Sequence, residues 1–400
     1  MVLGLGEGTS RPVVVQQVIP GSAAAVAGLQ AGDQIRSMDG MQIEQPRQIS
    51  APRRYAGDAV RLQVVRAGRE FAQTLVAAPK PFETSPHGEV LYRAVSVEGA
   101  RRRVIVTKPR GAGRFPAVLI MGGLGCYSLD GIDRTEGYGR VIDALEQKGY
   151  VTMRVEKTGE GDSEGPACSA VAATPGLEAE GYVAGLRALK SYDFVDPSSV
   201  FVFAHSLGPV IGSLVVPRES VRGFMAIETV GTSWFEYDLE RYRLQHTLAG
   251  KPADEVDRSV REYDECSFRF YIGKETPDKM RETPACRTMF APFEDVPYSY
   301  MQTIADISLA TQWKQADPPV LVVYGTGSPV TTAHQSQYLA DMINSLHPGR
   351  ASYVEVPGMG HDLARYASMR DYLQRDPGKP HPFHTGLLDV MFAWLDAQRG

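Results

Sequence analysis

The stretch Val200-Phe201-Val202-Phe203-Ala204-His205-Ser206-Leu207-Gly208, followed by Pro209-Val210-Ile211-Gly212-Ser213-Leu214-Val215-Val216, decides how the rest of this chain is read. Val200 to Phe203 is a short run of β-branched and aromatic residues, the composition of a strand buried on both faces. Val210 to Val216 reads as a helix. Between them Ser206 has small residues two positions before and two after, Ala204 and Gly208. A sharp strand-to-helix turn presses backbone against backbone and lifts the serine Oγ above the sheet, so bulk at those two positions is excluded. Ala204 replaces the first glycine of G-x-S-x-G at a cost of one carbon. A helix-capping serine is the structural alternative, and the strand, turn, helix context argues against it. Ser206 is the candidate nucleophile.

Outward from this point, apolar strand-like runs alternate with helix-period segments: Ala117 to Met121, Val151 to Val155, Val221 to Ile227, Pro319 to Tyr324 and Ser352 to Val356. The alternation predicts an α/β domain, a doubly wound and mostly parallel sheet, from about residue 89 onward. The stripes Tyr138, Val141, Ile142, Leu145 and Leu388, Met391, Phe392, Leu395 recur at helical spacing and are expected to be core. Ligands of such sheets bind at the carboxyl ends of the strands, so the residues there carry the functional argument.

A serine hydroxyl needs a base, and His361 is the candidate: it follows the strand Ser352 to Val356 through the glycine-rich loop Pro357-Gly358-Met359-Gly360. His334, His381 and His384 lack that setting. The strand Pro319 to Tyr324 leads into Gly325-Thr326-Gly327-Ser328, a strand-end loop that offers a serine where an orienting carboxylate is needed. A serine cannot stabilise an imidazolium as a carboxylate does. Glu228, a carboxylate at the end of the apolar strand Val221 to Ile227, is the expected replacement, because such a charge is costly unless partnered; Asp317 and Asp362 are the alternatives. Two backbone N–H groups, those of Leu207 and of Leu124 in Gly122-Gly123-Leu124-Gly125, are expected to face the developing oxyanion, each worth about 2.7 to 4 kcal/mol of barrier. Cys126 in the same loop is taken as packing, and Glu156-Lys157 and Gly159 to Ser163 as a strand end and a turn beneath the site.

The segment from Gly231 to Lys314 is too long for a connection and holds Trp234, Phe235, Tyr237, Tyr242, Phe268, Phe270, Tyr271, Phe290 and Phe293. It is expected to be a helical cap over an apolar, aromatic pocket, with Glu236, Asp238, Glu240 and Arg241 on the solvated faces of its helices.

The N-terminal part has a different grammar. Val13 to Val18 is a β-branched run, Pro20-Gly21-Ser22 a turn, and a hairpin around Ala67-Gly68 joins Val60 to Val65 with Phe71 to Val76. The segments P-G-S-x-A, A-G-L, G-D-x-I and D-G over residues 1–80 resemble the PDZ domains attached to bacterial proteases. That resemblance implies a groove bordered by Leu3, Gly4, Leu5 and Gly6 that takes up a peptide C-terminus by strand addition. The proline-containing stretch 81–88 is expected to be an extended connector.

Residues 89–400 resemble the α/β-hydrolase superfamily, particularly a bacterial group with G-x-G-C-Y-S, R-V-E-K and G-D-S-E-G segments, here Gly123 to Ser128, Arg154 to Lys157 and Gly161 to Gly165. The resemblance implies a serine esterase or thioesterase acting through an acyl-enzyme on a hydrophobic acyl group. Acyl transfer or cyclisation on the same intermediate, and a non-catalytic PDZ scaffold, are the competing readings.

Composition narrows the field further. Lys and Arg number 42 and Asp and Glu 47, interspersed, for a net charge of -5; no basic stripe suits nucleic acid. No apolar run approaches the ~18 residues of a membrane span, and the cytoplasm is the expected compartment. Four cysteines, Cys126, Cys168, Cys266 and Cys286, show no C-x-x-C pair and are expected to be mostly free thiols. Nothing calls for a metal or an organic cofactor.

Overall fold

The computed structural model describes residues 1–6, 12–50, 54–287, 296–376 and 381–399. It divides into two compact units, Met1–Phe82 and Glu83–Gly400.

The first unit is a six-stranded sheet: β1 (Val2–Leu5), β2 (Val13–Gln17), β3 (Gln34–Met38), β4 (Met41–Gln42), β5 (Ala59–Arg66) and β6 (Arg69–Val76), all pairs antiparallel. Alternation packs the unit: in β2 and β5, Val13, Val15, Val60, Leu62 and Val64 point inward with Ile35 and Met38 of β3. The turn between β5 and β6 has Ala67 and Gly68 both at positive φ, 48° and 78°, the geometry that matches the right-handed twist of a two-residue hairpin. Among the described residues β1 pairs only with β2 and forms one edge of the sheet.

The second unit carries β7 (Gly88–Val97), β8 (Ala100–Pro109), β9 (Phe115–Met121), β10 (Val151–Val155), β11 (Val195–His205), β12 (Gly223–Ile227), β13 (Val320–Gly325) and β14 (Ala351–Val356). They form one sheet in the order β14-β13-β12-β11-β9-β10-β8-β7. β9 to β14 are mutually parallel, and the β7-β8 hairpin joins β10 antiparallel. The continuous apolar runs of the sequence have a simple cause: side chains alternate between two cores. Val118, Ile120, Phe201 and Phe203 enter the core covered by helices Gly137–Gln147 and Gly386–Arg399. Leu119, Met121, Val202 and Ala204 enter the opposite one with helices Pro175–Ser191 and Gly208–Val215. With helices on both faces, neither set tolerates polar residues.

Between β12 and β13 lie the helices Trp234–Leu248, Ala253–Ser267, Pro277–Arg281, Tyr298–Ala305 and Leu309–Trp313, so the insertion is helical. Its first helix is fixed by a capping box: Ser233 Oγ accepts from Glu236 N while the Glu236 carboxylate accepts from Ser233 N. Phe270 and Tyr271 fill the insertion's own core; Phe290 and Phe293 lie outside the described residues.

Two expectations are corrected here. The cysteines are not free: Cys126 is bonded to Cys168 and Cys266 to Cys286, across 42 and 20 residues. Separations of that size are closed by the fold rather than by a local motif, so spacing gave no sign of them. Closing such loops restricts the unfolded chain by roughly 3 to 4 kcal/mol each on chain-entropy grounds. Residues 83–87, expected to be connector, are docked on the second unit: the Glu83 carboxylate pairs with the fully buried Arg154 and with Arg134 at 3.0 Å, and Ser85 Oγ donates to Glu146 at 2.7 Å.

Candidate active site

The last residue pair of the β11-β12 ladder is His205 with Ile227, so Ser206 and Glu228 each stand one residue beyond it. Both sit in the left-handed region, φ 60° and 52°, a conformation costly for non-glycine residues and held only where the surroundings over-determine it. At Ser206 the hold is Ser206 N donating to Ile227 O at 3.0 Å and Thr229 Oγ1 donating to Ser206 O at 2.8 Å. Gly208 must be glycine, because a Cβ there would lie 2.9 Å from Met121 O.

Ser206 Oγ is 3.0 Å from His361 Nε2, and His361 Nδ1 is 3.3 Å from Glu228 Oε2. Glu228 is fully buried; Thr331 Oγ1 donates to its Oε2 at 2.6 Å and Gly325 N to its Oε1. The structure therefore brings Ser206, His361 and Glu228 into one hydrogen-bonded line. Ser328 is not in it: its Oγ accepts from Val330 N at 3.3 Å and Thr331 N at 3.5 Å, closing a local turn. Asp317 faces Arg350 on the surface, and Asp362 accepts from Tyr366 Oη. His384 bonds Pro357 O, while His334 lies against Glu240.

The Leu124 and Leu207 amides have no acceptor among the described residues. Gly123 abuts the serine, where a Cβ would come 2.9 Å from Ser206 Cβ. Its carbonyl is held from beneath by the buried Lys157, whose Nζ donates at 2.8 Å and pairs with Glu178 at 3.3 Å. Glu156 in turn accepts from Leu129 N at 2.9 Å. Glu156 and Lys157 thus fasten the loops that edge the site.

Sequence reasoning missed a second histidine. His205 Nε2 is 2.8 Å from the His361 carbonyl, which can only accept, so Nε2 carries the proton. Burial, with the neighbouring His361, pushes the His205 pKa well below the ordinary imidazole value, so the ring is neutral and Nδ1 accepts from Tyr138 Oη at 2.6 Å. Tyr138 Oη also accepts from Gly123 N at 3.0 Å. One chain of hydrogen bonds ties the Gly123 loop to the His361 backbone. The stripe Tyr138, Val141, Ile142, Leu145 is core only in its last three members.

Two outcomes follow. Tyr138→Phe removes the link without changing the ring's volume, and kcat for an activated ester is expected to fall about 10- to 100-fold, with a melting temperature lower by a few degrees because Gly123 N and His205 Nδ1 lose their partner. On unfolding, His205 regains its ordinary pKa near 6.5 and takes up a proton the native state refuses. Its contribution is therefore complete above about pH 6.5 and declines below it by about 1.4 kcal/mol per pH unit. Melting curves from pH 7.5 to 5.5 are expected to show a shallower fall for His205→Gln than for the native chain.

A cavity of about 660 Å³ opens beside Ser206 and His361, walled by Leu124, Leu129, Ile132, Trp234 and Tyr237. Its walls are mainly apolar and aromatic, as expected, but Asp238 and Arg241, expected on the solvated faces of their helix, line it together with Gln245. The helix Trp234–Leu248 has charged and aromatic residues all around it, so its inward face was not legible from periodicity.

Comparison with known proteins agrees with this architecture. The chain belongs to the alpha/beta hydrolase family, whose model matches residues 133–373, and it carries a PDZ domain whose model matches residues 3–64. Over 76 residues it is 40% identical to the magnetosome formation protease MamE of Paramagnetospirillum magneticum, covering 18% of this chain and about a tenth of that relative's length. Among solved structures it is similar to DcsB in complex with its substrate analogue, at 15% identity and TM-score 0.50 over 78% of this chain and 99% of that one. It is also similar to the Pyrococcus furiosus esterase PF2001, at 12% identity and TM-score 0.49 over 80% and 97%. At 15% identity the likeness to DcsB speaks for the fold alone.

Proposed function

We propose that this α/β-hydrolase is a serine esterase or thioesterase that acts through an acyl-enzyme. Ser206 Oγ attacks the acyl carbon as its proton passes to His361 Nε2. The C–O or C–S bond then breaks, and the leaving group takes that proton. Glu228 holds the Nδ1 proton of His361 and balances the imidazolium, and the Leu124 and Leu207 amides receive the oxyanion. Water activated by His361 then releases the acid. The observation that carries this reading is the unbroken line Ser206–His361–Glu228, at 3.0 and 3.3 Å, beside a cavity with mainly apolar walls. The cavity size suits a small molecule with a hydrophobic acyl part. Purified protein is expected to be labelled stoichiometrically by a fluorophosphonate, followed by intact mass, and to turn over p-nitrophenyl esters in a chain-length-dependent way; inertness to both sinks the reading.

In the PDZ domain, Leu3, Gly4, Leu5 and Gly6 are the proposed border of a peptide C-terminus site. Support comes from β1, whose outer edge bears no strand partner among the described residues of the domain's sheet. The two disulfides favour an oxidising compartment over the cytoplasm expected from the sequence. Among the described residues no helix is long and apolar enough to cross a membrane.

A further inference from the structure

The helix Trp234–Leu248 turns Trp234, Tyr237, Asp238, Arg241 and Gln245 toward the cavity beside Ser206. Asp238 is 2% exposed, and both its oxygens are saturated: Oδ1 accepts from Arg241 Nε at 3.1 Å and Nη2 at 2.6 Å, Oδ2 from Tyr263 Oη at 2.6 Å and Tyr271 Oη at 3.2 Å. The neighbouring carboxylate keeps the Arg241 guanidinium charged. Gln245 Oε1 accepts from Arg241 Nη1 at 3.1 Å, while Gln245 Nε2 is itself held by Pro329 O at 3.1 Å. Of the five guanidinium N–H groups, three are thus committed, leaving one on Nη1 and one on Nη2.

A buried ion pair is a poor way to stabilise a cap, since well-packed apolar residues of similar volume do as well or better. What this one provides is a guanidinium clamped in place, with a donor left on each terminal nitrogen and a cavity in front of it. Two such donors match the two oxygens of a carboxylate. Because Asp238 already neutralises one charge, the site accommodates a monoanion better than a phosphate dianion.

We propose that Arg241, held by Asp238 and Gln245, is a carboxylate-binding subsite, and that the preferred substrates are esters or thioesters carrying a carboxylate on the part that enters the cap. This rests on the hydrolase reading above. The test compares mono-p-nitrophenyl esters of adipic and suberic acid with the corresponding ω-carboxamides. The native protein is expected to favour the carboxylate by about 10- to 100-fold in kcat/KM, the range of charge-assisted hydrogen bonds. Arg241→Met is expected to erase that preference, lowering kcat/KM about 10- to 100-fold for the carboxylate and by much less for the carboxamide, whose carbonyl accepts only a neutral hydrogen bond. Since Asp238 left alone and buried would weaken the cap, the pair Asp238→Asn/Arg241→Met is measured alongside, with the same expectation.

No preference in the native protein, or an equal loss on both substrates in the double variant with an unaltered melting temperature, would falsify the subsite and leave the hydrolase intact. A thermal-shift titration of Ser206→Ala with suberate against its diamide, which has no carboxylate, reads the subsite without turnover. Stabilisation by the diacid alone, abolished by Arg241→Met, upholds it even if no ester is cleaved, and equal shifts overturn it.

Discussion

Glu228→Gln is expected to lower kcat for a p-nitrophenyl ester by about 10³- to 10⁴-fold with little change in folding. The carboxylate faces three donors: Gly325 N, Thr331 Oγ1 and His361 Nδ1. A glutamine of the same shape offers one accepting oxygen and an amide that can only donate. Turned one way the amide opposes Gly325 N, a backbone donor that cannot yield; turned the other way it opposes Thr331 Oγ1, whose hydroxyl can rotate, and His361 Nδ1, and the imidazole then moves its proton to Nε2. In that tautomer His361 presents N–H to Ser206 and cannot take its proton. The wrong tautomer, more than the lost charge, makes the effect large. Steady-state kinetics beside a melting curve decide the matter; turnover near that of the native protein would remove Glu228 from the proposed triad and point back to Asp362.

Ser206→Ala is expected to abolish fluorophosphonate labelling and to lower ester turnover by about 10⁴- to 10⁶-fold, leaving only what the oxyanion amides and binding supply. Alanine lacks the acceptor of the acyl group but leaves the backbone bonds of Ser206 to Ile227 and Thr229 in place. Labelling that survives the substitution would mean that another nucleophile reacts. Both cysteine pairs are oxidised, so no thiol among them competes.

The sheet was legible in the sequence because a strand buried on both faces has no freedom to be polar; six apolar runs sufficed to place its parallel strands. Ser206 and His361 were legible because sharp turns demand small neighbours, and Glu228 because a carboxylate ending an apolar strand needs a partner. Tyr138 was hidden by its own periodicity, since a tyrosine on a core stripe looks like packing until its hydroxyl is seen between Gly123 and His205. The cysteine pairs and the Asp238–Arg241 pair depend on contacts closed by tertiary structure or on which way a helix faces, and neither leaves a mark at short range.

The paired left-handed residues at the ends of β11 and β12 have a mechanical consequence. Ser206 N donates to Ile227 O, the residue before Glu228, and Glu228 N donates to Val323 O of β13, so both residues are held at the ends of adjacent sheet strands and their separation follows the spacing of β11 and β12. His361 alone arrives on a loop, anchored through its carbonyl to His205. The proposed relay is a rigid two-pronged fork bridged by a single hinged piece. Ser328 itself takes no part in that relay, yet its turn carries Thr331, whose hydroxyl donates to Glu228, so lengthening or shortening the turn would be felt at the acid prong of the fork.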